Sequence, residues 1–432
     1  MITQLSDLSL VGGVIPITLA VLCVAAFLFV VIRSRASRWA PIYAVAAAVG
    51  TGIGFLIAWW LGDVEDAFDV TLTFATRAWF ALGTAGVLVG AVSLYLAHGW
   101  RISAGIAMIL VFALAGGLGV NASVGEFPTV GSLVGSDAAK SLALPAFTGE
   151  TSNDGALWRT WRAPSDLPAF GEVTKQKIPA TYSHFATTDA IIYLPPAALV
   201  SNAPALPVMV FLGGQPGSPQ TVIDSGEMPE LMNAFAAKHD GLAPIVVIPD
   251  QLGAPQDNPM CLNSPLGNVK TYITRDVTDW IRTHLNVLSG RKYWAIGGFS
   301  EGGTCSIQLG TQFSSTFGDI LDISGQVAPV NGTPAATIKK AFDGSAAAYA
   351  AASPLSLLKS GAPFTKTLGI FAVGQDDSKY GPDTGIIEHA AEAAGMDVHS
   401  FVSVGTAHDW YTERYGVKVG LPLLATRMGL TS

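Results

Sequence analysis

Residues 293–313 read YWAIGGFSEGGTCSIQLGTQF, and this stretch decides the fold of the second half of the chain. The apolar run 293–297 predicts a buried strand, and residues 301–313 predict a helix. Between them, Gly298-Phe299-Ser300-Glu301-Gly302 has the form G-x-S-x-G, in which flanking glycines let a serine occupy a sharp strand-to-helix turn. We therefore expect Ser300 to be a nucleophile, with a helix N-terminus behind it that favours negative charge on an attacked acyl group. The alternative is a glycine-rich turn with an ordinary serine.

Strand-like and helical stretches alternate on both sides of this turn. Apolar strand-like runs cover residues 190–194, 207–212, 244–249, 293–297, 320–324, 368–373 and 398–404. Helical stretches cover residues 228–239, 269–288, 301–313, 385–395 and 411–428. Such alternation predicts an α/β domain with a mostly parallel sheet and helices on both faces. We place this domain at residues 172–432, which is long enough to bury a full core.

A base and an acid should follow the serine along the chain, because hydrolases of this kind have the order Ser, acid, His. Three histidines follow far enough on: His389, His399 and His408. His389 falls in a predicted helix and His399 in a predicted strand, so we interpret both as surface or packing residues. His408 directly follows the last strand, where a loop can carry it to Ser300. We predict His408 as the base.

Two adjacent carboxylates compete for the role of the acid. Gly374-Gln375-Asp376-Asp377 follows the strand 368–373, and a carboxylate there would orient the imidazole and stabilise imidazolium. The Gly-x-x-Asp spacing favours Asp377, and Asp376 is the second candidate.

A glycine-rich loop, Gly213-Gly214-Gln215-Pro216-Gly217, follows the strand 207–212. Such a loop can aim backbone N–H groups at an oxyanion, and the donors would be the amides of Gln215 and Glu301. As a lone motif it could also be only a turn. It is not a phosphate loop, since no Gly-Lys-Ser/Thr follows.

Four uncharged apolar runs precede this domain, at residues 10–32, 41–61, 78–97 and 102–120. Each is close to the roughly 20 residues that a helix needs to cross a bilayer. A signal peptide is the alternative for the first run, but its apolar stretch would be shorter and its basic residues would come before it. We predict four transmembrane helices in residues 1–121, followed by a linker at 122–171 that is rich in Gly, Ser, Ala and Pro.

Loop charges predict the orientation of these helices. Arg33, Arg35 and Arg38 lie between the first two runs and Arg101 lies between the last two, whereas the middle loop is acidic. The excess of arginine places the first and third loops in the cytoplasm. The domain after residue 121 would then be extracytoplasmic, on a multi-pass protein of the cell membrane.

Composition agrees with a membrane part and a soluble part. Half of the residues are hydrophobic and 13% are charged, against roughly 25% charged in soluble globular proteins. The formal net charge is −8, which gives no basic footprint for nucleic acid.

From about Glu172 to Leu430 the chain resembles the putative-esterase branch of the α/β-hydrolases, which includes esterase D and the antigen 85 mycolyltransferases. The resemblance rests on the segments 212–217, 298–303, 374–377 and 408–410 described above. With four spans ahead of such a domain, the chain is similar to membrane-anchored esterases of actinobacteria. The resemblance implies a Ser–His–Asp triad and an acyl-enzyme. It leaves open whether water or an alcohol receives the acyl group.

The chain has three cysteines: Cys23, Cys261 and Cys305. Cys23 lies in the first apolar run and is expected to pack there. Cys261 and Cys305 lie in the domain we expect outside the cytoplasm, where an oxidising compartment allows a disulfide that would support the turn at Ser300. Two buried free thiols are the alternative. No Cys/His spacing indicates a metal, and the chemistry needs no cofactor.

These observations predict a membrane-anchored serine esterase that hydrolyses a lipid or envelope ester, such as an aminoacylated lipid or an acylated glycolipid. An acyltransferase of the mycolyltransferase type, with the same triad and an alcohol acceptor, is the second hypothesis. A non-catalytic envelope scaffold is the third, and the intact Ser, acid and His in the expected order count against it.

The predicted orientation can be tested with fusions to a reporter that is active only outside the cytoplasm. A reporter fused after Asn121 should be active, and one fused near Arg35 should be silent, because the arginine-rich loop stays inside. The opposite pattern would reverse the orientation and remove the argument for an envelope substrate.

Overall fold

The computed structural model describes residues 5–33, 39–96, 101–135, 139, 141–145 and 156–432. It divides the chain into two compact units, Met1–Asp137 and Ala138–Ser432. The division falls inside residues 122–171, the segment expected to be a linker. Arg35 and Arg38, on which the predicted orientation depends, lie outside the described residues.

The first unit consists of helices. They are α1 (Val14–Arg33), α2 (Ala40–Trp59, prolonged by a π-helical turn over Trp60–Val64), α3 (Phe74–Tyr95), α4 (Arg101–Val124) and the short α5 (Val130–Val134). Three stretches are long and apolar enough to cross a membrane, namely Ala40–Val64, Phe74–Tyr95 and Ile102–Val124. They correspond to the second, third and fourth predicted spans. The described apolar part of α1, Val14–Phe29, is shorter, so the first predicted span, at residues 10–32, stays a prediction.

Small residues bring these helices together. A Cβ built on Gly83 of α3 would lie 3.1 Å from the Cα of Gly116 on α4, and one built on Gly54 of α2 would lie 2.5 Å from the Cα of Ala81 on α3. Glycine at these points lets the backbones approach, which is a common way for helices to associate in a membrane.

The second unit is centred on an eight-stranded sheet. Its strands and those of a small hairpin, β5–β6, are β1 (Glu172–Gln176), β2 (Ala190–Leu194), β3 (Val208–Leu212), β4 (Ile245–Ile248), β5 (Asn263–Ser264), β6 (Gly267–Asn268), β7 (Trp294–Phe299), β8 (Asp319–Ile323), β9 (Leu368–Gly374) and β10 (Asp397–Ser403). The order across the sheet is β1-β2-β4-β3-β7-β8-β9-β10. The pairs β1–β2 and β2–β4 are antiparallel, and all pairs from β4 to β10 are parallel. The predicted α/β class with a mostly parallel sheet is confirmed.

Most helices of the second unit lie in the connections between the strands, with α6 before the first strand and α16 after the last. They are α6 (Leu157–Thr160), α7 (Pro219–Asp224), α8 (Met228–Ala236), α9 (Val269–Thr271), α10 (Thr278–His284), α11 (Glu301–Gln312), α12 (Pro334–Ala341), α13 (Ala346–Ala351), α14 (Pro354–Gly361), α15 (Gly381–Ala393) and α16 (Trp410–Arg427). Ala139 and Leu157, from the segment expected to be a linker, are buried in the core of this unit.

The second unit differs from the sequence prediction in several places, and strand β1 and helix α7 are among the elements that were not predicted. The predicted helix 269–288 is divided by a π-helical segment, Tyr272–Val277, and ends at His284. It ends there because the following residues are extended and pair with Leu206, which donates to the carbonyl of Asn286 and accepts from the amide of Leu288. Helices α12, α13 and α14 were not predicted, although the sequence holds a signal for them in Thr333-Pro334 and Ser353-Pro354, each a capping residue before a proline at N1.

The topology brings the candidate residues to one edge of the sheet. Ser300 follows β7, Asp377 follows β9 and His408 follows β10. Since β3 and β7 to β10 are parallel, their carboxyl ends share one edge, which is where open α/β sheets bind ligands.

A disulfide between Cys261 and Cys305 ties the loop after β4 to α11 across 44 residues of sequence. In the chain-entropy account, closing a loop of this length stabilises the second unit by about 4 kcal/mol. Cys261→Ser with Cys305→Ser should therefore lower the melting temperature of this unit. Proteolysis of the full chain during heating, with cuts in residues 156–432 identified by mass spectrometry, measures the change.

Cys23→Ser is the matched control, because Cys23 is free and lies in the other unit. It should leave the cleavage temperature of residues 156–432 unchanged. An unchanged cleavage temperature in the double variant would show that the disulfide contributes nothing to this unit.

Candidate active site

Ser300 lies on a sharp backbone turn that requires glycine at nearby positions on both sides. Its φ is 59° and its ψ is −115°, a conformation that is costly for any residue with a side chain. A Cβ on Gly302 would collide with the carbonyl oxygen of Leu212, and one on Gly298 would lie 2.6 Å from the same oxygen. Glycine on both sides of the serine is therefore required by the close approach of β7 and α11 to the end of β3.

A chain of two hydrogen bonds links Ser300 to the loops after β9 and β10. The Nε2 atom of His408 lies 2.8 Å from the Oγ of Ser300, and its Nδ1 lies 2.8 Å from Oδ2 of Asp377. The side chains of His408 and Asp377 are 6% and 1% exposed. The structure thus brings together the serine, histidine and aspartate that the sequence favours, and largely removes the histidine–aspartate pair from water.

The two candidate carboxylates face different surroundings. Asp377 is buried, and its second oxygen, Oδ1, accepts a hydrogen bond of 2.9 Å from the amide of Tyr380. Asp376 is exposed, and its amide donates to the carbonyl of Thr406. Only Asp377 is placed to orient His408.

Aromatic rings and a helix cap hold the imidazole in place. The ring of His408 packs against those of Phe299 and Tyr380, with centroid distances of 5.0 Å and 4.6 Å. Asp409 caps α16 by accepting from the amide of Thr412, and its other oxygen accepts from the amide of Ala407. Burial raises the pKa of Asp409, whereas these hydrogen bonds lower it. Tyr380 and Asp409 were missed by the sequence reasoning, although Asp409 directly before a helix is a recognisable cap.

The two other downstream histidines lie away from this site. His389 is on α15 and its side chain is 80% exposed, 3.6 Å from Glu392. His399 is on β10, 3.6 Å from Asp397. Both lie at the surface, as expected from their positions in a helix and a strand.

The two expected oxyanion donors are on segments that meet at Ser300. Glu301 is the first residue of α11, where helical geometry provides no acceptor for its amide. Gly214 lies against the serine, since a Cβ built on it would be 3.5 Å from the Cβ of Ser300. Among the described residues no hydrogen bond uses the amide of Gln215 or of Glu301. These two N–H groups are therefore available to a ligand.

The side chain of Glu301 is a feature that the sequence reasoning missed, since only its amide was assigned a role. The residue is 7% exposed, and burial raises the pKa of its carboxyl to about 7, against a lowering effect of the hydrogen bond from Gln251. Cys261, Glu301 and Cys305 are grouped closely enough to be considered as metal ligands. Their two sulfurs are bonded to each other, so neither is a thiolate that could bind a metal.

Comparison with known proteins gives a family match for the second unit. A model of the family described as "Putative esterase" matches residues 186–415. An uncharacterised protein of Corynebacterium glutamicum is 31% identical over 317 residues, which cover 69% of this chain and 73% of that protein.

Solved structures share the fold. A ferulic acid esterase superposes with a TM-score of 0.51 at 17% identity, over 61% of this chain and 100% of that one. An S-formylglutathione hydrolase from Agrobacterium tumefaciens superposes with a TM-score of 0.50 at 20% identity, over 61% of this chain and 97% of that one. At these identities the likeness concerns the fold alone.

The two adjacent carboxylates give a paired test of the site. Asp377→Asn keeps the shape of the side chain but removes the charge that orients His408 and stabilises imidazolium, and such a change cost about 10⁴-fold in kcat in a serine protease. Asp376→Asn should have little effect, because this side chain is exposed. The kcat for a short-chain ester, with melting temperatures to verify folding, compares the two. A severe loss in Asp376→Asn with near-normal Asp377→Asn would show that the acid is wrongly assigned.

Proposed function

This chain belongs to the Putative esterase family of serine hydrolases, and we propose that it is a membrane-anchored esterase that acts through an acyl-enzyme on Ser300. The observation that carries the proposal is the buried hydrogen-bonded chain from Asp377 through His408 to Ser300. Its geometry is that of a nucleophile, a base and the group that orients the base.

In the first half of the reaction, the Oγ of Ser300 attacks the carbonyl carbon of an ester, and its proton passes to Nε2 of His408. This needs the Nδ1–H tautomer of His408, which donates to Oδ2 of Asp377. The oxygen that becomes negative accepts hydrogen bonds from the amides of Gln215 and Glu301. When the bond to the alcohol breaks, His408 returns the proton to the leaving oxygen and Ser300 retains the acyl group.

In the second half, a water molecule gives its proton to Nε2 of His408 and attacks the acyl carbon. The tetrahedral species then collapses, the carboxylic acid leaves, and the proton returns to the Oγ of Ser300. An alcohol in place of the water would transfer the acyl group instead. Both courses use the same three side chains, so the acceptor is an outcome of the tests below.

We assign the substrate to the esters of membrane lipids or of envelope glycolipids, for instance aminoacylated lipids or acylated glycolipids. The first unit supports this assignment. It contains three helices that are long and apolar enough to cross a membrane, and they belong to the same chain as the site. An enzyme confined to a membrane meets lipid esters at high local concentration. The predicted orientation adds that the site faces the envelope.

The proposal is tested by incubating membrane lipids and envelope glycolipids with the full-length protein and with Ser300→Ala. The wild type should deplete one class of ester and release its acid, and Ser300→Ala should lose several orders of magnitude of this activity. Mass spectrometry in ¹⁸O-labelled water identifies the ester and shows whether water is the acceptor, since hydrolysis puts the label in the acid.

Ser306→Ala is the matched control. It is the same substitution six residues further along the chain, on α11, at a serine whose hydroxyl donates to the carbonyl of Gly303 and not to His408. It should retain activity. Equal activity in wild type and Ser300→Ala would exclude Ser300 as the nucleophile, and acyl transfer to an alcohol without labelled acid would replace the esterase by an acyltransferase.

A further inference from the structure

One buried side chain connects the two halves of the proposed oxyanion hole. The Nε2 of Gln251 donates to the carbonyl oxygen of Gly213 at 2.7 Å and lies 3.2 Å from Oε2 of Glu301. Gly213 begins the loop that carries the Gln215 amide, and Glu301 carries the other amide. Gln251 is 3% exposed, so water does not compete for these hydrogen bonds.

The other oxygen of the Glu301 carboxyl lies near the two sulfur atoms of the disulfide. Its Oε1 lies 2.8 Å from Sγ of Cys305 and 3.8 Å from Sγ of Cys261. Because these sulfurs form a disulfide, they have no proton to donate. Among the described residues, Gln251 is then the one donor to this carboxyl. A carboxylate with one hydrogen bond in a dry site is poorly stabilised, whereas a carboxylic acid fits it.

We infer that the Glu301 carboxyl, held by Gln251, is a positioning group for the oxyanion hole: its hydrogen bond with Gln251 keeps the two donor segments together, and a charge on it opposes the negative charge of the transition state. This rests on the proposed function, because it concerns the charge that develops when Ser300 attacks an ester. The carboxyl belongs to the same residue as one donor amide, so a charge on it lies within one side-chain length of the oxyanion.

Other titratable groups surround the start of α11. His408, from the loop after β10, contacts Ser300, and Asp377 lies behind it. Asp322, at the end of β8, lies against Gly303, where a built Cβ would be 2.5 Å from its Oδ1. Within the described residues none of the three forms a hydrogen bond with the Glu301 carboxyl. Asp322 is the other carboxyl whose ionisation would give a pH dependence in the same range, since burial raises its pKa to about 7 as well.

The direction in which the rate changes with pH follows from the ionisation of the Glu301 carboxyl. Burial raises the pKa of Glu301 to about 7, so the carboxyl is neutral below this pH and gains a charge above it. A charge roughly 6 Å from the oxyanion, at an effective dielectric constant of about 20, would cost about 10- to 100-fold in rate. We therefore expect kcat/KM of the wild type for a short-chain ester, and its rate of inactivation by a fluorophosphonate, to fall above about pH 7.

Two substitutions separate this role from a purely structural one. Glu301→Gln keeps the amide and the shape but cannot ionise, so the fall at high pH should disappear. Gln251→Met removes the hydrogen bond that lowers the pKa of Glu301, so the fall should move to higher pH. Gln251→Met should also reduce kcat by about 10²-fold with a smaller change in KM, because a misplaced hole harms the transition state more than the bound substrate.

Matched controls come from the same neighbourhood. Asp322→Asn removes the other buried acid near α11 and should keep the fall at high pH. Gln308→Met makes the same replacement on α11, at a fully buried glutamine that donates to the carbonyl of Ala352, and should leave the pH of the fall unchanged.

The inference is overturned if Glu301→Gln retains the fall at high pH, if Asp322→Asn removes it, or if Gln251→Met lowers activity without moving it. In each case the wild type is active and the proposed function stands. A wild type that neither hydrolyses esters nor reacts with the fluorophosphonate at any pH would overturn the proposed function and this inference together.

Discussion

The backbone at Ser300 is the constraint on which the arrangement of the second unit depends. Its positive φ turns the chain from β7 into α11 at once, and the turn packs so closely on the end of β3 that Gly298 and Gly302 have no room for a side chain. The same closeness sets the loop after β3 against the serine. A larger residue at either glycine would move α11, and with it the amide of Glu301 and the partner of His408.

Several carboxyl side chains are buried near this turn. Asp377 has a histidine and a backbone amide as partners, and Asp409 accepts two backbone amides. Glu301 has one amide donor and a disulfide beside it. A poorly partnered carboxyl reduces stability unless it stays protonated, and such groups are retained most readily where their charge state matters to the site. This contrast is why we give Glu301 a role beyond its backbone.

The sequence predicted the sheet well because its buried strands are continuous apolar runs that end at glycines or polar loops. Ser300, His408 and Asp377 could be proposed from order and position along the chain, since parallel strands bring their following loops to one edge. The hydrogen bond from Gln251 to Gly213 could not be predicted, because it joins residues 38 positions apart and no periodic pattern in the sequence marks it. The end of the helix at His284 could not be predicted either. The apolar residues after it continue a helical pattern, but they can equally form an extended segment that pairs with Leu206.

The central claim is that catalysis passes through an ester on Ser300, and the direct measurement is the site of the acyl group during turnover. The full-length protein should be mixed with a slow ester, quenched in acid within the first turnover, digested and mapped by mass spectrometry. We expect the acyl mass on the peptide that contains Ser300, and we expect it to be absent in Ser300→Ala. Turnover without an acylated peptide, or an acyl group on another residue that persists in Ser300→Ala, would contradict it.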